Sequence, residues 1–251
     1  MIVNDEESVY HANPALSNSR MKKLLACPAK YKLSFEQSED SATFVLGRVT
    51  HAMILEPDKV QEKYMANGFD GRTKEGKAAA KKAKEQNIIV VPKDDWALAE
   101  GMASSVKQNP IWRYLTMEGL QPETSIYWDE MGIPCKARLD GIVSVNGQIS
   151  ILDIKTTKNA SIEYLKSAIP KYGYHIQARW YKHALEYEGY DVYDFIFLFV
   201  ENSAPFVCTA VRLSQEMYEE AEIQIDKALA LYRECSARDI WPGYSDEIVT
   251  I

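Results

Sequence analysis

A chain of 251 residues, 46% hydrophobic and 26% charged, is long enough for one large domain and has the composition of an ordinary globular protein. Its formal net charge of -7 excludes a globally basic nucleic-acid binder, although that total leaves a local basic patch open. Cys27, Cys135, Cys208 and Cys235 are never at C-x-x-C spacing, the start has no apolar signal core, and the longest apolar run, Phe195 to Val200, is too short to cross a membrane; free thiols in a cytoplasmic protein with no membrane partner are expected.

In chain order, residues 15–35 (ALSNSRMKKLLACPAKYKLSF) predict a helix entered through Ser17, Asn18 or Ser19, with Pro28 breaking it or opening a second short helix. Residues 41–57 predict another helix, capped near Ser41 and stopped by Pro57. Residues 72–87 are rich in helix formers and lysine; residues 92–110 read as a helix bracketed by prolines, with Pro92 suited to its first turn. From Glu123 to Lys155 the pattern becomes a three-strand meander with turns at Met131-Gly132 and Asn146-Gly147. Residues 161–170 and 174–189 return to helix. Residues 193–201 and 206–213 predict strands, the first continuously apolar as in a strand buried on both faces, and residues 214–237 a long amphipathic helix. This order predicts an α/β fold with one central mixed β-sheet flanked by helices. The expected organisation is a single domain over residues 1–251, with a helical part at about 10–118 and the sheet with its helices at about 119–240.

The Asn146-Gly147 turn carries the most chemistry. Both residues tolerate positive φ, so a two-residue loop sets Val145 opposite Gln148, and counting outward brings Asp140 opposite Asp153. Opposed residues share a sheet face with Cβ atoms about 4.5–5.5 Å apart. Lys155, two residues on, points to that face. Carboxylates opposed in this way repel; a divalent cation between them removes the conflict, and all-oxygen ligation suits magnesium, with manganese as a substitute. Pairing of the two acids with Lys155 or Arg138 on a solvated face is the plainer alternative. The weaker Met131-Gly132 turn sets Glu123 opposite Asp140, giving three carboxylates and one lysine on one patch; a solvated acid at a strand end is the alternative. His51 lies one turn beyond Gly47 on the same helix face. A glycine there lets the helix approach the sheet closely enough for His51 to offer a nitrogen to a metal, against the alternative of an ordinary packed histidine. Gln177 and Tyr181 are likewise one helical turn apart.

Together GRVTH (47–51), ARLDGI (137–142), ILDIKTT (151–157) and QARWY (177–181) resemble the PD-(D/E)xK nuclease superfamily in its RecB-like branch. That branch carries a helix histidine, an aspartate, D/E-x-K and Q-x-x-x-Y in this order. YHANPALSNSRMKKLLACPAKY (10–31) and FDGRTKEGK (69–77) look more narrowly like the RecE-type exonuclease VIII domain, and the likeness runs from near Tyr10 to near Pro242.

The resemblance implies a restriction-endonuclease-like core. It makes His51, Asp140, Asp153 and the Ile154 carbonyl metal ligands, Lys155 the catalytic lysine, and Glu123 an additional ligand or water-orienting acid. Gln177 and Tyr181 would line the site and steady Lys155 or the phosphate. It further implies Mg2+-dependent 5′→3′ digestion of one strand from double-stranded DNA ends, leaving 3′ single-stranded tails for recombination by annealing. A homotetrameric ring, with a trimer second, and a RecT-like annealing partner are also implied. Some RecB-like nucleases hold an iron–sulfur cluster; Cys27 stands where its first cysteine falls, but the closely spaced C-terminal cysteines are missing, so no cluster is expected. Phosphate contacts are expected from Arg20 and Arg72, which can hold a terminal phosphate through two parallel bonds, and from Lys74 and Lys77; a solvated helix face is the alternative.

Three rivals remain. An endonuclease of restriction or repair type would cut covalently closed DNA, whereas an exonuclease needs an end. A DNA-binding module that has lost catalysis is opposed by the presence of every expected catalytic residue. A metal-free structural protein would join its acids in salt bridges.

Overall fold

The computed structural model describes residues 1–34, 42–69, 73–245, 247, 248 and 250, with 42–44 as backbone. Strand β1 (Ile2–Val3) and helix α1 (Glu7–Ala12) form an N-terminal strap. The Ser17 hydroxyl accepts from the Arg20 N–H and caps α2 (Asn18–Ala26), and Pro28 opens α3 (Pro28–Leu33). Helix α4 (Ala42–Leu55) follows; its expected cap, Ser41, lies outside the described residues. A 3-10 turn at Pro57–Lys59 stops it and leads into α5 (Val60–Lys63) and β2 (Tyr64–Ala66). Thr73 caps α6 (Lys74–Glu85), and β3 (Ile89–Val91) pairs parallel with β2. Pro92 is the N-cap of α7 (Lys93–Gln108) rather than part of its first turn, and α8 (Pro110–Thr116) follows.

The main sheet adds β4 (Leu120–Glu130), β5 (Ile133–Val145), β6 (Gln148–Thr157), β7 (Val192–Glu201) and β8 (Cys208–Arg212). Its order is β1-β4-β5-β6-β7-β8, and only β6 and β7 pair in parallel. Helices α9 (Ile162–Lys171) and α10 (Tyr174–Tyr187) make that crossover, and α11 (Gln215–Arg238) follows β8. The expected mixed sheet flanked by helices is therefore present. Both hairpins keep the expected turns, with Glu130 facing Ile133 and Val145 facing Gln148.

Strand β7 separates two cores. Phe195, Phe197 and Phe199 pack with Met21, Leu24 and Trp180; Leu198 and Val200 pack with Val49, Met102 and Val106. Trp180 is fully buried and donates its Nε1–H to the Lys136 carbonyl at 3.0 Å. Truncating one of the buried β7 phenylalanines to alanine would cost about 3–5 kcal/mol.

The alternation of faces changes phase at one place. Leu139 faces the first core and Val143 the second, although residues four apart on a strand ordinarily share a face. The same change separates Ile126 from Leu120 on β4. Ladder pairing skips Glu123 and Asp140 and resumes at Pro122 and Gly141. Glu123 sits at this pivot with φ +49, a left-handed conformation that costs a non-glycine residue of order 1–3 kcal/mol. No helix among the described residues is long and apolar enough to cross a membrane.

Candidate metal and catalytic centre

A cleft of about 560 Å3 opens over the pivot. Tyr10 of α1, Lys22 of α2, His51 of α4 and Gln177 and Tyr181 of α10 line it, together with Glu123, Arg138 and Asp140 from the sheet. The phase change has a direct consequence: it frees the Glu123 and Asp140 side chains from both cores and brings them to the cleft.

Among the described residues, His51, Glu123 and Asp140 form one group whose ligand atoms lie within 4.8 Å of one another. His51 Nδ1 is 3.4 Å from Asp140 Oδ2, and the same oxygen accepts the Ile154 N–H at 2.8 Å. Arg138 Nε donates to Glu123 Oε2 at 2.9 Å, while its Nη1 donates to Ser125 Oγ at 2.8 Å and to Asp5 Oδ1 at 3.1 Å. Burial, and then the neighbouring Asp140 carboxylate, push the Glu123 carboxyl up to about 7 despite Arg138. Two crowded carboxylates and an imidazole that one arginine does not neutralise fit a hard divalent cation such as Mg2+ or Mn2+.

Asp153 is placed differently from the expectation. Its pairing with Asp140 across the hairpin does not form, because hydrogen-bonded pairing ends at Gly141 and Leu152 and the phase change turns Asp140 onto the Ile154 N–H. The Asp153 carboxylate is fully buried; Lys155 Nζ forms an ion pair with its Oδ1, and Gln177 Nε2 donates to Oδ2 at 2.6 Å. It stands outside the three-residue group. Burial raises the Asp153 pKa, with Lys155 opposing and Asp140 assisting. Burial alone would lower the Lys155 pKa, but Asp153 and then Asp140 outweigh it, and the amine is held as an ammonium. The ammonium lies 5.4 Å from the centre of the Tyr174 ring. Gln177 thus steadies Asp153 rather than Lys155, and the Tyr181 hydroxyl contacts Gln177.

The remaining expected residues are scattered. Arg20 is half-buried, and its Nη1 donates to the Asn13 and Ala15 carbonyls at 2.8 Å each, which ties down the loop before α2. Lys74 and Lys77 are exposed at the start of α6 and are not among the described residues lining the cleft, and Arg72 lies outside the described residues. Gly47 does not mediate a close approach: a Cβ there would meet nothing within 4 Å among the described residues, and Gly47 lines the cleft instead. Sequence reasoning did not foresee Arg138 as the partner of Glu123, although it lies two residues before Asp140 on one strand. Lys22 stands out in the sequence, with Lys23 and Lys30, as part of a basic cluster suited to phosphates, but its place in this cleft depends on the packing of α2 against α10.

Sheet, pivot and D-x-K pair define a member of the PD-(D/E)xK nuclease superfamily with a restriction-endonuclease-like α/β fold. Residues 17–251 match the family described as "PDDEXK-like domain of unknown function (DUF3799)", and the chain belongs to that family. A crystal structure from Eubacterium rectale, named as a candidate exonuclease, is similar at a TM-score of 0.68 and 13% identity, covering 99% of this chain and 96% of that one. This likeness concerns the fold. A phage-related exonuclease from Haemophilus somnus 129PT is 15% identical over 90% of this chain and 96% of that one, with a TM-score of 0.40, too low to add to the fold assignment. No curated protein matches the chain.

Proposed function

We propose that the protein is a divalent-metal-dependent exodeoxyribonuclease that digests one strand of duplex DNA from its ends in the 5′→3′ direction. The observation that carries this reading is the convergence of His51, Glu123 and Asp140 in one cleft, with the buried Lys155–Asp153 pair close enough for Asp140 to act on both of its members. His51, Glu123 and Asp140 would hold the ion; the superfamily pattern adds the Ile154 carbonyl and Asp153, but here Asp153 would first have to give up an oxygen held by Lys155 or Gln177. A bound Mg2+ or Mn2+ supplies Lewis-acid polarisation of a phosphoryl oxygen and an acidified water. Arg138 keeps Oε2 of Glu123 occupied, so Oε1 would be the oxygen available to an ion. Lys155, held cationic by Asp153, places positive charge where the attacked phosphate becomes more negative. Gln177 fixes the far oxygen of Asp153 and so fixes the direction of Lys155.

The family resemblance extends the reading to 3′ single-stranded tails, a homotetrameric ring with a trimer second, and a RecT-like annealing partner. The net charge of -7 favours encirclement over tight grip, since few phosphate contacts would hold a monomer at physiological salt. The test compares linear with covalently closed duplex DNA, in Mg2+ and in EDTA. Linear DNA should be lost only with Mg2+, and closed circles should survive; cutting of closed circles would favour the endonuclease reading. Light scattering should give three or four times the 28.5 kDa chain mass, and a monomer would remove the ring.

A further inference from the structure

A strip of tyrosines and lysines leads out of the catalytic centre through the turn between α9 and α10. Lys155 Nζ lies 5.4 Å from the centre of the Tyr174 ring, and Tyr174 rests on Phe197 and Phe199 at 5.9 Å each. Tyr172 is the next ring outward, 5.8 Å from Tyr174 and tilted by 38°. Lys171 Nζ sits 5.6 Å from the Tyr172 ring. Tyr174 is thus anchored on the core, while Tyr172 is 45% exposed and shares a side-chain hydrogen bond with Tyr164.

Lys22 connects the strip to the cleft. Its Nζ donates to the Tyr172 carbonyl at 3.0 Å, and its stem passes over Gly173, where a Cβ would come within 2.8 Å of Lys22 Cδ. Gly173 has φ +65, which turns the chain between the two tyrosines. A second cavity of about 360 Å3 shares Lys22 with the catalytic cleft and is bordered by Lys171 and Tyr172, with Glu220 as its acid. Phosphates passing from the cleft toward this cavity would meet Lys155, Lys22 and Lys171 in turn, beside aromatic faces.

We infer that Tyr172, supported by Tyr174 and flanked by Lys22 and Lys171, is a stacking platform for the unpaired bases of the DNA strand next to the scissile phosphate. Alternating cations and aromatic faces are the chemistry that holds single strands without reading sequence. Plain packing accounts for Tyr174, but not for a half-exposed ring outside it with Lys171 at the ring and Lys22 on its backbone carbonyl. The inference rests on the nuclease reading for the identity of the strand, and its test does not require cleavage.

Binding of a fluorescein-labelled oligothymidylate and of an abasic strand with the same number of phosphates is measured by anisotropy in EDTA. The two ligands differ only in their bases. The wild-type chain should prefer oligothymidylate by roughly tenfold, within the range of stacking one base on an aromatic ring. Tyr172→Ala should remove most of that preference while leaving abasic affinity unchanged, and Tyr172→Phe should retain it. Equal binding of the two strands by the wild type, or an unchanged preference in Tyr172→Ala, overturns the platform. If linear duplex is not cut but the Tyr172-dependent preference is present, the nuclease reading fails and the platform stands. If duplex is cut and the preference is absent, only the platform fails.

Discussion

The two halves of the catalytic centre solve the problem of charge in opposite ways. In the half built on Asp153, a fully buried carboxylate has one oxygen on Lys155 and the other on Gln177. In the half built on Glu123 and Asp140, two acids and His51 converge on a cleft with Arg138 as the cation on Glu123. The first half is complete within the protein. Burial is the first cause of a raised pKa in both halves, for Asp153 and for Glu123; what differs is the partner, a lysine and an amide on Asp153 against a second carboxylate, Asp140, beside Glu123. The comparison separates what folding requires of these residues from what a metal ion would require.

The largest expected effect comes from breaking the closed half. Lys155→Met leaves the Asp153 carboxylate buried without its cation, and removing one partner of a buried pair costs about 3–5 kcal/mol. Urea denaturation without metal should show this loss, and nuclease activity should disappear with it. Adding Asp153→Asn to Lys155→Met should restore a large part of the stability and none of the activity. A double variant no more stable than Lys155→Met would mean that the pair is not what holds this half together.

Metal should act on the open half, and its effect should depend on pH with a defined sign. Glu123 has its pKa raised from 4.5 to about 7 on folding, so between those values the folded chain binds more protons than the unfolded chain. Its contribution to metal-free stability is therefore present below the lower value and is lost as pH rises through the window. A divalent ion binds the deprotonated carboxylate, so it should stabilise more above pH 7 than at pH 5. At one hundred times the Kd the gain is about 2.7 kcal/mol. Thermal unfolding with Mn2+ and with EDTA at both pH values checks this; an equal shift at both would detach the metal from Glu123.

Glu123→Gln tests the same half at smaller scale. It removes one of two neighbouring like charges while keeping an acceptor for Arg138. A metal-free gain of up to about 1 kcal/mol is expected, the size of a like-charge penalty between strands. The stabilisation by Mn2+ should shrink in the same variant. A metal-free loss would show that the Arg138 ion pair outweighs repulsion by Asp140.

The closed half was partly legible in the sequence and the open half less so. The Asn146-Gly147 turn fixed the β5–β6 register as expected, because a two-residue loop leaves no freedom of pairing. Period-2 reasoning then carries every side chain to a definite face, and this is where it failed for Asp140. The face changes phase at Glu123, whose left-handed backbone no local residue pattern signals. The interaction of Lys155 with Asp153 was among the open alternatives, whereas the grip of Gln177 on Asp153 depends on the docking of α10 against β6. The strap that brings Asp5 to Arg138 was also unreadable, because β1 and α1 are too short for periodicity to reveal.

One substitution, made once in each half, should have opposite signs. Gly173 caps the helix that carries Gln177 and holds φ +65, so alanine there must adopt a left-handed conformation costing about 1–2 kcal/mol. Its methyl group must also displace Lys22, whose Cδ would lie 2.8 Å away; that part is cheaper, because the lysine stem can swing. Gly47 lies in α4 one turn before His51, and a Cβ there meets nothing within 4 Å among the described residues. With no clash to offset it, replacing a helix-interior glycine by alanine should stabilise by roughly 0.5–1 kcal/mol. Gly173→Ala should therefore lower the Tm and Gly47→Ala should raise it. If Gly47→Ala lowers it instead, the glycine serves the close approach of α4 to the sheet that the sequence first suggested. The open half would then be narrower, and His51 nearer the strands, than the geometry described above.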